Sequence, residues 1–114
     1  MYQYTGTIIK VSDGDTCTID VDLGFSIRQK MIFRLHGINT PEVIGPERTA
    51  GLAAKHRVEE LLPPGKDVVI NTYKDRKEKF GRYLAEVSYF DENKNLICIN
   101  ELLVKEGLAK PFMV

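Results

Sequence analysis

The chain has no tryptophan, and only two cysteines, two histidines and five prolines among its 114 residues. Two cysteines do not make a disulfide framework. Cys17 and Cys98 each sit in an apolar or β-branched stretch, the setting of a reduced thiol packed as a small hydrophobe. His36 and His56 lie in regular elements and read as packing or surface residues, so no Cys/His zinc cluster is on offer. No apolar run approaches the roughly 20 residues that a membrane helix needs. Surplus charge is missing too: 16 Lys and Arg balance 16 Asp and Glu. A tight, non-specific duplex binder is usually basic, so any phosphate chemistry must draw on local positive charge. No basic stretch followed by an apolar core opens the chain. The expectation is a cytoplasmic protein, or a secreted one if a leader has been removed.

What is present is ordinary for one folded domain spanning 1–114, with 43% hydrophobic and 28% charged residues. There are no repeats or low-complexity tracts. Residues 3–12 and 15–23 are rich in Thr, Ile and Val and are separated by Asp13-Gly14, a turn or bulge signal. Leu23-Gly24-Phe25-Ser26 reads as the next turn. Residues 27–36 form a third strand, with Ile27, Met31, Phe33 and Leu35 on one face and Arg28, Lys30, Arg34 and His36 on the other. Residues 37–47, with two prolines and two glycines, read as a loop. Helical spacing follows in Leu52, Ala53, His56, Val58 or Glu59, Leu61 and Leu62, and Pro63-Pro64-Gly65 stops it. Residues 67–73 and 83–90 are predicted strands around a charged connector. A last helix near 98–106 packs through Leu102, Leu103 and Leu108 and stops at Gly107. Short antiparallel strands in the order β-β-β-α-β-β-α fit a small closed α+β barrel better than a parallel sheet.

Three segments concentrate polar groups beside turns. Asp13-Gly14-Asp15-Thr16 places two carboxylates around a glycine at the start of a strand; hard cations take such oxygens, although Asp-Gly is also a common turn former. Arg34 stands between two apolar residues in a strand, and Asn39, Thr40, Pro41 and Glu42 follow closely. The plainer reading makes Arg34 a solvated outer-face residue and Glu42 the start of a loop. From Lys74 to Arg82 five basic residues face two acids, which is either a solvated loop or a phosphate grip. Gly81 permits a bend that aims Arg82 inward.

In order along nearly the whole chain stand Asp13-Gly14-Asp15-Thr16, Phe33-Arg34-Leu35, Asn39-Thr40-Pro41-Glu42, Phe80-Gly81-Arg82 and the run from Asn100-Glu101 to Gly107-Leu108-Ala109. Together they resemble the staphylococcal nuclease, or thermonuclease, family. The resemblance implies a mainly β fold, a five-stranded OB-fold barrel with two helices, carrying a phosphodiesterase site. It implies a metal site of Asp15, Asn39 and the Thr40 carbonyl for Ca²⁺, with Asp13 behind it. Glu42 would orient or deprotonate the attacking water, and Arg34 and Arg82 would grip the phosphate. Lys79, Phe80 and Phe112 would contact the nucleic acid, Phe112 by stacking on a base. Two guanidiniums and a dication suit a reaction that builds charge on phosphoryl oxygens. The planar arginine fork matches two such oxygens.

The sequence departs from the family pattern at named places. Asn39 replaces the usual Asp, so the site loses a charge and another divalent cation becomes a candidate. Phe80 replaces a Tyr beside the Gly-Arg. The family's nucleotide-contacting tyrosines have no clear match near Pro111-Phe112. The basic loop after Thr-Pro-Glu is cut to Val43-Ile44-Gly45-Pro46. The expected function is a monomeric, sugar-non-specific, cation-dependent endonuclease on single-stranded or frayed DNA and RNA. The alternative is a catalytically impaired module of the same type that binds nucleic acid or protein.

Overall fold

Burial alternates along the first strand and is nearly continuous along the second, from Thr16 to Ile19. The computed structural model describes residues 2–77 and 81–112, and of residues 74–77 the backbone alone. Strand β1 (Tyr2–Asp13) turns through Gly14 into β2 (Thr16–Asp22), and β3 (Arg28–Leu35) returns beside it. After β4 (Ile38–Asn39) and a short 3₁₀ turn come α1 (Arg48–Leu61), β5 (Asp67–Lys77), β6 (Tyr83–Phe90), β7 (Leu96–Cys98), α2 (Ile99–Lys105) and β8 (Lys110–Pro111). The sheet runs β3-β2-β1-β5-β6-β7, and a parallel pairing of β3 with β6 closes it. The five strands β1, β2, β3, β5 and β6 therefore form a closed barrel, the α+β, mainly β fold expected. Closure removes the open edges that an isolated sheet would expose.

The barrel is filled from inside by Ile8, Cys17, Ile19, Val21, Phe33, Leu35, Ile70, Ala85 and Val87, all buried. Truncating one of the large ones, such as Phe33, costs about 3–5 kcal/mol on the scale for core aromatics. Helix α2 adds Ile99 and Leu103. It also adds Asn100, a buried amide held by three hydrogen bonds to backbone, with the Cys98 thiol also donating to its Oδ1 at 3.9 Å. Its Nδ2 donates to the carbonyls of His36 (2.9 Å) and Ala85 (3.1 Å), and its Oδ1 accepts from the Val87 N–H (3.1 Å). Asn100 thus ties α2 to β6 and to the end of β3, where the polar residues gather.

Three readings need correction. Helix α1 buries Gly51, Ala54 and Val58, with Leu62 just beyond its end, while Ala53 and His56 are exposed. Its inner face is made of small residues that hydrophobic spacing does not register. Ile27 lies outside β3 and is exposed, because the hairpin turn runs through Gly24, Phe25 and Ser26, all at positive φ. Residues 37–47 are not loop throughout: β4 pairs with β8, Ile38 against Pro111 and Asn39 against Lys110. Cys17 and Cys98 are free thiols, as expected. Burial pushes the Cys17 thiol up to about 12, with the Asp13 carboxylate adding to it, so it stays protonated and inert.

Candidate active site

The polar residues singled out from the sequence converge at one end of β2 and β3. The turn at Gly14 lies so close to its neighbours that a Cβ there would stand 2.9 Å from the Ala54 Cβ and 3.0 Å from the Thr40 hydroxyl. A side chain at Gly51 would collide with the Glu42 carbonyl. The turn 13–16, the segment 40–42 and helix α1 are therefore pressed together by small residues. Register does the rest: Thr16 faces Arg34 across β2 and β3, and Arg34 faces Leu84 across β3 and β6. Gly81 has φ +83°, a left-handed bend that suits glycine, and the next residue, Arg82, turns in at the foot of β6.

Asp15 is the centre of the cluster and is buried. Its Oδ1 accepts from the Thr16 hydroxyl (3.2 Å), and its Oδ2 accepts from the Thr40 N–H (3.4 Å) and lies 3.7 Å from Arg34 Nη2. Its own N–H donates to Asp13 Oδ1 (3.0 Å). Burial alone would raise its pKa. The hydrogen bond from Asp13, the Arg34 charge, the Thr40 amide and the Thr16 hydroxyl outweigh that and hold Asp15 below the ordinary carboxylate range. Asp13 moves the other way. Burial and the adjacent Asp15 carboxylate push it up to about 6. Near neutral pH Asp15 is the committed anion and Asp13 its partner.

Arg34 is not the solvated strand residue of the plainer reading, since its side chain is only 12% exposed. Its Nη1 donates to the Leu35 carbonyl (3.3 Å), and its Nη2 donates to the Ile38 carbonyl (3.0 Å) and to Asn39 Oδ1 (3.2 Å). The Phe112 ring covers the guanidinium, with 5.4 Å from Cζ to the ring centroid. Arg82 comes from the foot of β6, the strand paired with β3, and its Nη1 donates to the Thr16 hydroxyl at 3.0 Å. Both arginines thus reach the same dipeptide, Asp15-Thr16, from different strands.

Glu42 is exposed and lines a groove of about 230 Å³ with Asn39, Thr40, Pro41, Glu47 and Lys110 among its walls. The structure brings Asp15, Arg34, Asn39 and Thr40 into direct contact, joins Arg82 to them through the Thr16 hydroxyl, and sets Glu42 in a groove that shares Asn39 and Thr40 with them. Lys79 and Phe80 lie outside the described residues. Thr16, which links Asp15 to Arg82, and Lys110 on the groove wall were missed as separate site residues. Thr16 stood in the Asp-Gly-Asp-Thr run, but no chemistry distinguishes a bridging Thr from a strand Thr in sequence.

The oxygens that could hold a divalent cation would be the Asp15 carboxylate, the Asn39 amide and the Thr40 carbonyl. Such an all-oxygen set would suit a hard ion but brings a single formal charge, and Asn39 Oδ1 already accepts from Arg34. Among the described residues no group of three or more Asp, Glu, His or Cys side chains could hold a metal by itself. Also among them, no helix is long and apolar enough to cross a membrane.

The model of the staphylococcal nuclease homologue family matches residues 32–114, a span that takes in Arg34, Asn39, Thr40, Glu42 and Arg82. A thermonuclease of Staphylococcus hyicus is 32% identical over 111 residues, covering 95% of this chain and 59% of its own. An uncharacterized protein of Methanocaldococcus jannaschii is 30% identical over 130 residues, covering 96% of this chain and 60% of its own. The chain thus spans about three fifths of the length of these relatives.

Proposed function

Because the chain belongs to the family of staphylococcal nuclease homologues, we propose that it hydrolyses phosphodiester bonds in DNA and RNA with the help of a divalent cation, calcium being the one its oxygen donors suit. The observation that carries this reading is the convergence of Arg34 and Arg82 on Asp15 and Thr16, cations from β3 and from the foot of β6 around one buried carboxylate. An anion entering between them meets two guanidiniums held in place before it arrives, and preorganised charge of this kind acts where charge develops in the transition state.

The residues divide the work as follows. Arg34 and Arg82 hold the phosphoryl oxygens by paired, charge-assisted hydrogen bonds. Among the described residues the Arg34 Nε–H donates to none, so it is available to a phosphate oxygen. Asp15, Asn39 and the Thr40 carbonyl would hold the cation, which when bound supplies Lewis-acid stabilisation to the phosphate. Glu42, exposed on the groove wall, orients or deprotonates the attacking water. Lys79 and Phe80 are assigned to nucleic-acid contact. With zero net charge the protein has little hold on an intact duplex, which favours single-stranded or frayed substrate.

A rival reading, a module of the same family that binds without cutting, draws support from Asn39, where an amide replaces a charge. One experiment separates them. Purified protein is incubated with heat-denatured DNA in calcium, in magnesium and in EDTA. The proposal expects cleavage with calcium and none with EDTA. Undiminished cutting in EDTA removes the cation from the reaction, and retention of DNA with no cleavage under any cation establishes the binding module.

A further inference from the structure

Strand β8 has two residues, both exposed, and among the described residues it pairs only with the two residues of β4. It buries no core, so barrel stability does not account for it. What it does is fix the position of Phe112. Pro111 stands opposite Ile38, Lys110 stands opposite Asn39, and the Phe112 N–H donates to the Gly37 carbonyl at 2.8 Å. The same short segment, Ile38 and Asn39, supplies the oxygens that hold Arg34 Nη2. Phe112 and Arg34 are thus referenced to one piece of backbone.

The ring uses that position to cover the guanidinium. Its centroid lies 5.4 Å from Arg34 Cζ, inside the roughly 6 Å range over which a cation is drawn to an aromatic face. Phe112 itself remains 43% exposed, too open to serve as a core residue, whereas the Arg34 side chain beneath it is only 12% exposed. Arginine keeps its charge when water is removed, and a charge with less water around it acts more strongly on a bound anion. Loss of the ring would leave the guanidinium free to swing about its remaining bonds and would hydrate it.

We infer that Phe112 is a positioning residue for Arg34, fastened by the β4–β8 clasp, rather than a platform on which substrate bases stack. This rests on the reading that Arg34 grips the scissile phosphate. It reaches the site through a residue distant in sequence, and it makes the Lys110-Pro111-Phe112 segment part of the phosphate site.

The test is a kinetic cycle on a single-stranded oligonucleotide in calcium, using Phe112→Leu, Phe112→Tyr, Arg34→Lys and the combination of Phe112→Leu with Arg34→Lys. Leucine keeps apolar bulk and loses the π face; tyrosine keeps both. We expect Phe112→Leu to lower kcat by about three- to tenfold, the scale of a partly desolvated cation–π contact, with KM moving less than kcat. Phe112→Tyr should restore most of the rate. In the Arg34→Lys background Phe112→Leu should change kcat by less than about twofold, because its effect passes through the guanidinium. Three results overturn the inference: a Phe112→Leu effect confined to KM, which is the mark of base stacking; an effect that multiplies in full on top of Arg34→Lys; or a native rate in Phe112→Leu while Arg34→Lys is impaired. A native rate in Arg34→Lys is a different failure, since it removes Arg34 from the reaction and takes the proposed function of the site with it. Thermal unfolding of Phe112→Leu should stay at the native midpoint, and a large drop would show that the ring serves the fold instead.

Discussion

Arg28 and Arg34 leave the same strand on the same face, six positions apart, and each meets an aspartate at or beside β2. Arg28 makes the shorter pair, 2.9 Å from Nε to Asp20 Oδ2, with side chains 45% and 39% exposed. Arg34 makes the longer one, 3.7 Å to Asp15 Oδ2, with side chains 12% and 11% exposed. Distance alone would rank Arg28 first. Burial reverses the order. In water an ion pair is screened and contributes little, whereas a half-buried guanidinium beside a buried carboxylate is held by directed bonds to carbonyls and an amide in a medium where charge acts strongly. The hairpin end of β3 therefore holds a surface ion pair, and the other end holds a poised site.

The comparison breaks most visibly at Arg34. Arg34→Ala should cut turnover on denatured DNA by about 10³-fold, the scale for losing a preorganised cation in phosphoryl chemistry, and Arg82→Ala should do the same from the neighbouring strand. Neither lies in the barrel core, so far-ultraviolet circular dichroism should stay native. A rate within threefold of native in either variant would remove that arginine from the mechanism. Glu42→Gln follows at about 10²-fold, the general-base scale, because the side chain keeps its shape on the groove wall and loses its basicity. An unaltered rate there would leave Glu42 as groove lining.

Asn39→Asp comes next and sharpens the site rather than breaking it. A carboxylate in place of the amide adds a charge toward the cation, and affinity in such sites tracks ligand charge. Calcium binding measured by calorimetry should tighten by about tenfold. The structure adds a competitor, since Asn39 Oδ1 accepts from Arg34 and a carboxylate would bind that guanidinium harder. No change in calcium affinity would assign Asn39 to Arg34 and to the Thr40-Pro41 turn, leaving Asp15 as the metal carboxylate.

Much of this was legible beforehand, and the reasons differ by level. Cys17, Ile19 and Val21, or Ala85 and Val87, carry a period of two that fills the barrel, although Thr16 and Thr18 between them are buried as well, which alternation did not announce. The Asp-Gly-Asp, Asn-Thr-Pro-Glu and Gly-Arg runs mark turns, and turns are where a barrel gathers polar groups. Contacts between elements far apart in sequence were not legible. The β4–β8 pairing involves two residues on each side, too few for any periodicity, and its partners are some 70 residues apart. The inner face of α1 rests on Gly51 and Ala54, whose smallness matters only against the backbone of Glu42 and the turn at Gly14. The burial of Arg34 was read the wrong way round in the plainer reading, because nothing in Phe-Arg-Leu tells whether the polar face of a strand meets water or a second layer of chain.

Arg28 should yield the smallest effect. Its guanidinium donates to Asp20 Oδ2 (2.9 Å), to the Asp20 carbonyl (3.2 Å) and to the Thr7 hydroxyl (3.5 Å), and Asp22 stands 4.0 Å away. Every one of these groups is open to solvent, and water replaces them readily when the side chain is cut back. The Asp20 contact raises the Arg28 pKa further, which changes nothing in the pH range where proteins fold, because arginine is already fully charged there. Arg28→Ala should therefore leave the melting temperature within about 3 °C of native, as expected for an exposed pair in a domain of this size, and leave kcat and KM within about twofold. The test is thermal unfolding at low and high salt together with the oligonucleotide assay. Added salt should shrink the difference from native further, since screening already weakens the pair. A loss of activity comparable to Arg34→Ala would mean that substrate runs along the whole face of β3, and the contrast between the two ends of the strand would no longer hold.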